Sequence, residues 1–166
     1  METIKIEIPE GKEAEQVETT DGIVIKWKDK EKPFDYKDFK TFADAEKFAV
    51  RNLPFDYQEY VSSITDSAPA HIKAVSRLIL FCRVLNYDPA TKKSWIPTWD
   101  NGSERKWAPY FQYSAGSGFA FSGSDCDCDD TVTYVGSRLC FKTEAISNYA
   151  GTQFIETYRE FLTINK

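Results

Sequence analysis

The stretch that most constrains the fold runs over 131–166 and reads TVTYVGSRLCFKTEAISNYAGTQFIETYREFLTINK. It offers strand residues, a Gly-Ser turn or kink, more strand residues, and then one long amphipathic helix. Thr143 is a good N-cap, and Glu144 in the first turn meets the positive end of the helix dipole. Ala150, Phe154, Tyr158, Phe161 and Leu162 recur at three- and four-residue spacing, so they share one stripe at about 100° per residue. Asn148, Thr152, Glu156, Arg159 and Glu160 lie on the other side. The spacing predicts a single helix over 143–164. Gly151 sits in the apolar stripe, although glycine in a helix interior costs roughly 1 kcal/mol relative to alanine. The Ala150-Gly151 pair therefore marks a close approach of the helix axis to a strand. Residues 132–142 are rich in β-branched and aromatic side chains. Gly136-Ser137 fits either a type II′ hairpin turn or a bulge in one bent strand.

The remaining chain supplies partners for this unit. Residues 3–8 alternate with Ile4, Ile6 and Ile8 on one face, and 23–28 alternate with Ile23, Ile25 and Trp27. With the polar, acidic connection 9–22 between them, they predict an N-terminal β-hairpin within 1–32. The mixed charges of 28–32 read as a solvated linker. A helical region is expected over 41–87. Thr41 caps a short helix over 42–51, with Phe42, Ala45 and Phe48 inward, and Pro54 cannot continue it. Residues 55–64 suggest a further helical turn or two. Ser67 caps a strong helix reaching about Asn86, with Pro69 in its first turn. Ile72, Val75, Leu78, Ile79, Cys82 and Leu85 form its core stripe. Residues 88–106 are a Trp-rich irregular segment, punctuated by Asp88-Pro89, Pro97 and Asn101-Gly102. Antiparallel strands are expected over 107–142, with a hairpin of 110–113 and 119–122 around a turn at 114–117. A polar loop over 122–130 follows. The pattern predicts a single α+β domain over 1–166. An antiparallel sheet of roughly four to six strands packs on the C-terminal helix and the central helix from Ser67.

Composition narrows the function classes. A chain of 166 residues with 42% hydrophobic residues can bury a core. The net charge of −5 weakens any case for general nucleic-acid binding, which needs a basic face. No apolar run has transmembrane length and the start carries no signal-like segment, so no membrane partner and a cytoplasmic location are expected. Cys82, Cys126, Cys128 and Cys140 do not have the spacing of a disulfide framework.

Chemistry has few places to reside. His71 is the sole histidine, and nothing near it in sequence completes a Ser-His-Asp or Cys-His arrangement. Cys82 on an apolar helix stripe reads as a small buried hydrophobe. No phosphate loop, dinucleotide fingerprint, nucleophile elbow or paired CxxC is present. The run Asp125-Cys126-Asp127-Cys128-Asp129-Asp130 is the most unusual local feature. It offers two thiolates where zinc takes four N/S ligands, and it lacks EF-hand spacing. The simpler reading is an acidic loop, with no metal and no cofactor expected. The strongest candidate is the aromatic set Trp95, Trp99, Trp107, Tyr110, Phe111, Tyr113, Phe119 and Phe121. Exposed rings of this kind stack on sugars or unpaired bases. Buried, they would form a satellite core under the irregular segment. Arg105 and Lys106 are the main basic residues among them, which disfavours a single-strand groove.

The runs VGSRLCFKT and NYAGTQFIETYREFL resemble the C-terminal end of a group of small proteins from Bacteroides and their phages and mobile elements. The opening IKIEIPEGKE with IVIKWK fits that resemblance. So does the Trp95-Ile96-Pro97-Thr98-Trp99-Asp100 segment leading to Lys106-Trp107-Ala108-Pro109-Tyr110-Phe111. The group has no established activity, so the resemblance carries no catalytic residue across. It implies a lineage. The resulting expectation is a non-enzymatic accessory or interaction protein of phage or mobile-element origin. Its partner would be a protein, without tight sequence-independent nucleic-acid binding. The alternative is a ligand-binding module for carbohydrate or unpaired nucleic acid, using the surface around Trp95, Trp99, Trp107 and Tyr110.

Overall fold

The computed structural model describes residues 6–164, leaving aside Asp21, Glu31, Trp99, Ser117 and 128–136, together with the side chains of Asp127 and Ser137. The chain divides into two compact units, 1–34 and 35–166.

The second unit opens where the sequence places its first helix. The Thr41 hydroxyl accepts from the Asp44 amide at 3.3 Å, and the Asp44 carboxylate accepts from the Thr41 amide at 2.9 Å. This reciprocal cap starts α1 (Phe42–Asn52). Pro54 stands in the first turn of α2 (Pro54–Ser63), where its missing N–H leaves no bond unmade. Helix α3 (Ala70–Leu85) is the centre of the unit, with Leu78, Leu80, Phe81, Cys82, Val84 and Leu85 buried. It starts after Pro69 rather than at Ser67. Its buried face is also broader than the expected stripe: Ile72 is exposed, Val75 and Ile79 are half-buried, and Leu80, Phe81 and Val84 are buried instead. Helices α1 and α2 pack on α3, and so does the C-terminal helix, so neighbours cover it well beyond one stripe.

The expected single C-terminal helix is two helices, α4 (Glu144–Gln153) and α5 (Ile155–Leu162). The break falls at Phe154, whose φ of −112° and ψ of 28° end one helix and begin the next. Two packing demands meet there. Helix α4 lies on the strand pair β5 (Lys106–Ser114) and β6 (Gly118–Asp127), while α5 lies on α3. Phe154 stacks on Phe81 with ring centres 3.7 Å apart and is buried, so the corner of the chain is itself core.

The expected sheet of several strands is also different. The described residues form three separate two-stranded antiparallel ladders: β1 (Lys12–Thr19) with β2 (Gly22–Asp29) in the first unit, β3 (Tyr87–Asp88) with β4 (Lys93–Ser94), and β5 with β6. Strand β6 takes in Ser122–Asp127, which the sequence suggests as loop. Short polar side chains suit that position, because the Ser124 hydroxyl reaches Ser147 of α4 at 2.7 Å. Ser137–Leu139 is a 3-10 turn rather than strand, and among the described residues of this stretch it is Phe141 that pairs, in a bridge to Trp107. Leu139, Cys140 and Phe141 are buried in succession, which a strand covered on one face does not allow. The choice between turn and bulge at Gly136-Ser137 lies outside the described residues. Asn86, at the end of α3, ties this segment down. Its side chain donates to the Cys140 carbonyl at 2.8 Å and accepts from the Lys142 amide at 3.0 Å.

In the first unit, β1 (Lys12–Thr19) pairs with β2 (Gly22–Asp29). The hairpin is expected, but β1 lies in the stretch read as its connection. Cross-strand charges favour this register: Lys12 pairs with Asp29, and Glu13 meets Lys28 at 3.5 Å. Ile6 and Ile8 precede the ladder and are exposed.

Candidate functional site

Alternation along β5 sends Pro109, Phe111 and Tyr113 to one face and Tyr110 and Gln112 to the other. The first face meets the C-terminal helices. A Cβ on Gly151 would lie 2.4 Å from the Phe121 ring and 2.8 Å from Pro109, so glycine is what lets α4 approach the strands. The Phe111 ring stacks on Phe119 at 4.9 Å and lies 4.8 Å from Tyr158 of α5. Tyr158 is buried, and burial pushes its phenol well above the ordinary tyrosine range.

Past Phe111 the helical cover ends. Helix α5 stops at Leu162 while β5 runs on to Ser114. Tyr113 is 77% exposed and Leu162 is 52% exposed. Between them lies an open groove of about 370 Å³, lined by Pro109, Phe111, Tyr113, Phe119, Leu162 and Thr163 among others. The Arg159 guanidinium lies 5.9 Å from the centre of the Phe119 ring that lines the groove, and it pairs with Glu156 at 2.7 Å. On the opposite face, Tyr110 is 53% exposed and stands across from Gly123.

Of the four residues singled out in the sequence, the three described ones, Trp95, Trp107 and Tyr110, have different surroundings. Tyr110 is at the surface. Trp95 is half-buried, and its Nε1 donates to Glu104 at 3.2 Å. The same carboxylate accepts from the Thr98 amide at 2.6 Å and its hydroxyl at 3.1 Å, so Glu104 gathers the irregular segment onto itself. Trp107 is half-buried in the ladder with Phe141. Trp99 lies outside the described residues. Leu162 and Thr163 complete the groove, yet the sequence places Leu162 in the core stripe. Their one legible signal is position, at the end of a helix that stops before the strand beside it does.

A second concavity, of about 70 Å³, lies between α2 and α3. Arg83 Nε is 3.2 Å from Asp56 Oδ1, and Ser63 donates to Ser76 at 3.1 Å. Burial raises the Asp56 carboxyl, while Arg83 pulls it down. A space of this size holds a few waters, and the serine pair has no imidazole beside it there. His71 lies elsewhere, exposed in the first turn of α3 near Glu160–Ile164. Cys82 is buried, and burial pushes its thiol well up, which leaves it protonated and inert. Asp125, Cys126 and Asp127 belong to β6, while Cys128, Asp129 and Asp130 lie outside the described residues. Among the described residues, no three His, Cys, Asp or Glu side chains converge as metal ligands would, and no helix is long and apolar enough to cross a membrane.

No protein family matches the chain, and neither a curated protein nor a solved structure matches it.

Proposed function

We propose that the protein is a non-enzymatic interaction protein whose contact surface is the distal end of the β5–β6 hairpin with the end of α5. One observation carries the reading. Tyr113 and Leu162 stand exposed on either side of an apolar groove, on a frame in which the Phe111, Phe119 and Tyr158 rings pack on one another. Tyrosine supplies large contact area at low entropy cost, and rigid strands hold it in place. The partner best suited to such a groove is protein, because the surface is apolar and the chain carries net charge −5. A lineage in phages or mobile elements is part of the proposal and rests on the sequence resemblance alone. The carbohydrate or unpaired-base alternative would use the aromatic surface around Trp95, Trp99, Trp107 and Tyr110, of which Trp95 and Trp107 are half-buried and Tyr110 is exposed. The test is an array of random peptides, glycans and single-stranded oligonucleotides, probed with wild type and with Tyr110→Ala/Tyr113→Ala. Peptide binding should fall about tenfold or more in the double variant, a loss near 1.4 kcal/mol. Binding confined to glycans or oligonucleotides would overturn the protein-partner reading.

A further inference from the structure

We infer that the outer edge of β5 takes up an extended polypeptide by strand addition, an inference that rests on the reading of this hairpin as an interaction surface and names its partner. Two observations set the direction of the backbone groups on β5. Trp107 exchanges both its main-chain hydrogen bonds with Phe141, at 3.0 and 2.7 Å, so its amide and carbonyl point away from β6. Pro109, opposite Ser124 in the ladder, has no amide to donate. Proline is tolerated in a two-stranded ladder where its nitrogen faces outward. Direction alternates along an antiparallel strand. The ladder slips between Tyr110 and Phe111, but the extra residue, Ser122, is on β6 and leaves the alternation along β5 intact. Phe111 and Tyr113 therefore present N–H and C=O to the same outer edge as Trp107. Among the described residues, the bridge at Phe141 is the pairing on that edge.

The bridge also fixes an orientation, since Phe141 runs antiparallel to β5. A segment continuing that ladder beyond Pro109 would place the side chains opposite Phe111 and Tyr113 on the same face as those rings. That face opens on the groove beside Leu162 and Thr163. The occupant is an extended segment about as long as Pro109–Ser114. It carries apolar side chains at alternate positions and no proline opposite Phe111 or Tyr113. Main-chain bonds would give affinity, and the groove would select the alternate side chains. Pro109 removes one donor between the bridge and the groove, which keeps the added strand separate from Phe141.

The experiment has two arms on the full chain. In the first, amide hydrogen exchange is followed by NMR in the free protein. Phe111 and Tyr113 should exchange about a hundredfold faster than Tyr110 and Gln112, whose amides face β6. Protection of Phe111 and Tyr113 in the free monomer, or their protection through a concentration-dependent dimer, would overturn the inference. In the second arm, random displayed peptides are selected on wild type, and the recovered peptides are measured on Tyr113→Ala and Tyr113→Pro. Both variants lose the ring, and only the proline variant also loses the outward amide. Binding to Tyr113→Pro should be about tenfold weaker than to Tyr113→Ala. Equal losses would show contact through side chains alone, ending strand addition while leaving the interaction surface standing. Absence of enrichment, or no loss in either variant, would overturn both readings. Should Tyr113→Pro fail to fold, protection of the Phe111 and Tyr113 amides on adding a selected peptide to wild type decides the matter.

Discussion

The two long hairpins of this chain have the same local construction and opposite surroundings. Both are antiparallel, and both carry large apolar side chains, mostly β-branched with Trp27 in β1–β2 and aromatic in β5–β6. In β5–β6, Pro109, Phe111 and Phe121 rest on α4 and α5. In β1–β2, Ile23, Ile25 and Trp27 share one face, every residue of β2 is exposed, and the described residues of the first unit include no helix to cover them. A lone hairpin is marginal in water, since ladder hydrogen bonds replace equally good bonds to solvent. Pairing chemistry is thus enough to form a hairpin, but burial decides how much stability each one contributes.

The comparison can be broken or sharpened by substitution. Gly151→Leu should have the largest effect, about 3 kcal/mol of destabilisation, at the upper end of overpacking costs. A thermal melt equal to wild type would show that α4 can move off the strands. Phe111→Ala should cost about 2 kcal/mol, below the range for a fully buried phenylalanine because the ring is half-buried. Denaturant unfolding would measure it. Asn86→Ala should cost roughly 1–2 kcal/mol by leaving the Cys140 carbonyl and the Lys142 amide without their partner. In the other hairpin, Trp27→Ser should change the melt of the second unit by less than about 0.5 kcal/mol. A larger loss would mean that the two hairpins differ less than their surroundings suggest.

The smallest expected effect is a matter of pH. The Thr41 side chain, followed by the Thr41 amide, lowers the Asp44 carboxyl below its ordinary value. A depressed acid stabilises the fold above the unfolded-state value, and that contribution disappears as pH falls through the folded one. Asp44→Asn should therefore slightly flatten the acid limb of the stability curve. An unchanged limb would show that the cap contributes no pH-dependent term.

What could be read from the chain follows from the range of the forces involved. Caps are local, so Thr41 and Thr143 are legible as helix starts. Gly151 is legible because glycine in an apolar stripe is costly unless something lies close. The break at Phe154 is not, because it answers to Phe81 on another helix and to strands far away in sequence. The register of β1 is hidden for another reason. Residues 3–8 and 12–19 are both able to form strand, and cross-strand charges to Lys28 and Asp29 favour the second. In the candidate site, Tyr110 and Tyr113 are visible as strand aromatics, but a groove needs Leu162, and only the relative lengths of α5 and β5 expose it.

The stack of Phe154 on Phe81 has a consequence for synthesis. The two rings are separated by 154 − 81 = 73 positions, and Asn86 reaches for Cys140 and Lys142 across 54 and 56. A ribosome delivers α3 long before it delivers the residues that complete the core. Until α4 and α5 emerge, Leu78, Phe81 and Leu85 have α1, α2 and short pieces such as β4 to lean on, but lack Phe154 and the helix that follows it. The second unit cannot assemble in step with translation and must close late, in one event gated by its last helices. A nascent chain stalled short of Phe154 should therefore be held by chaperones, while one released past α5 should not.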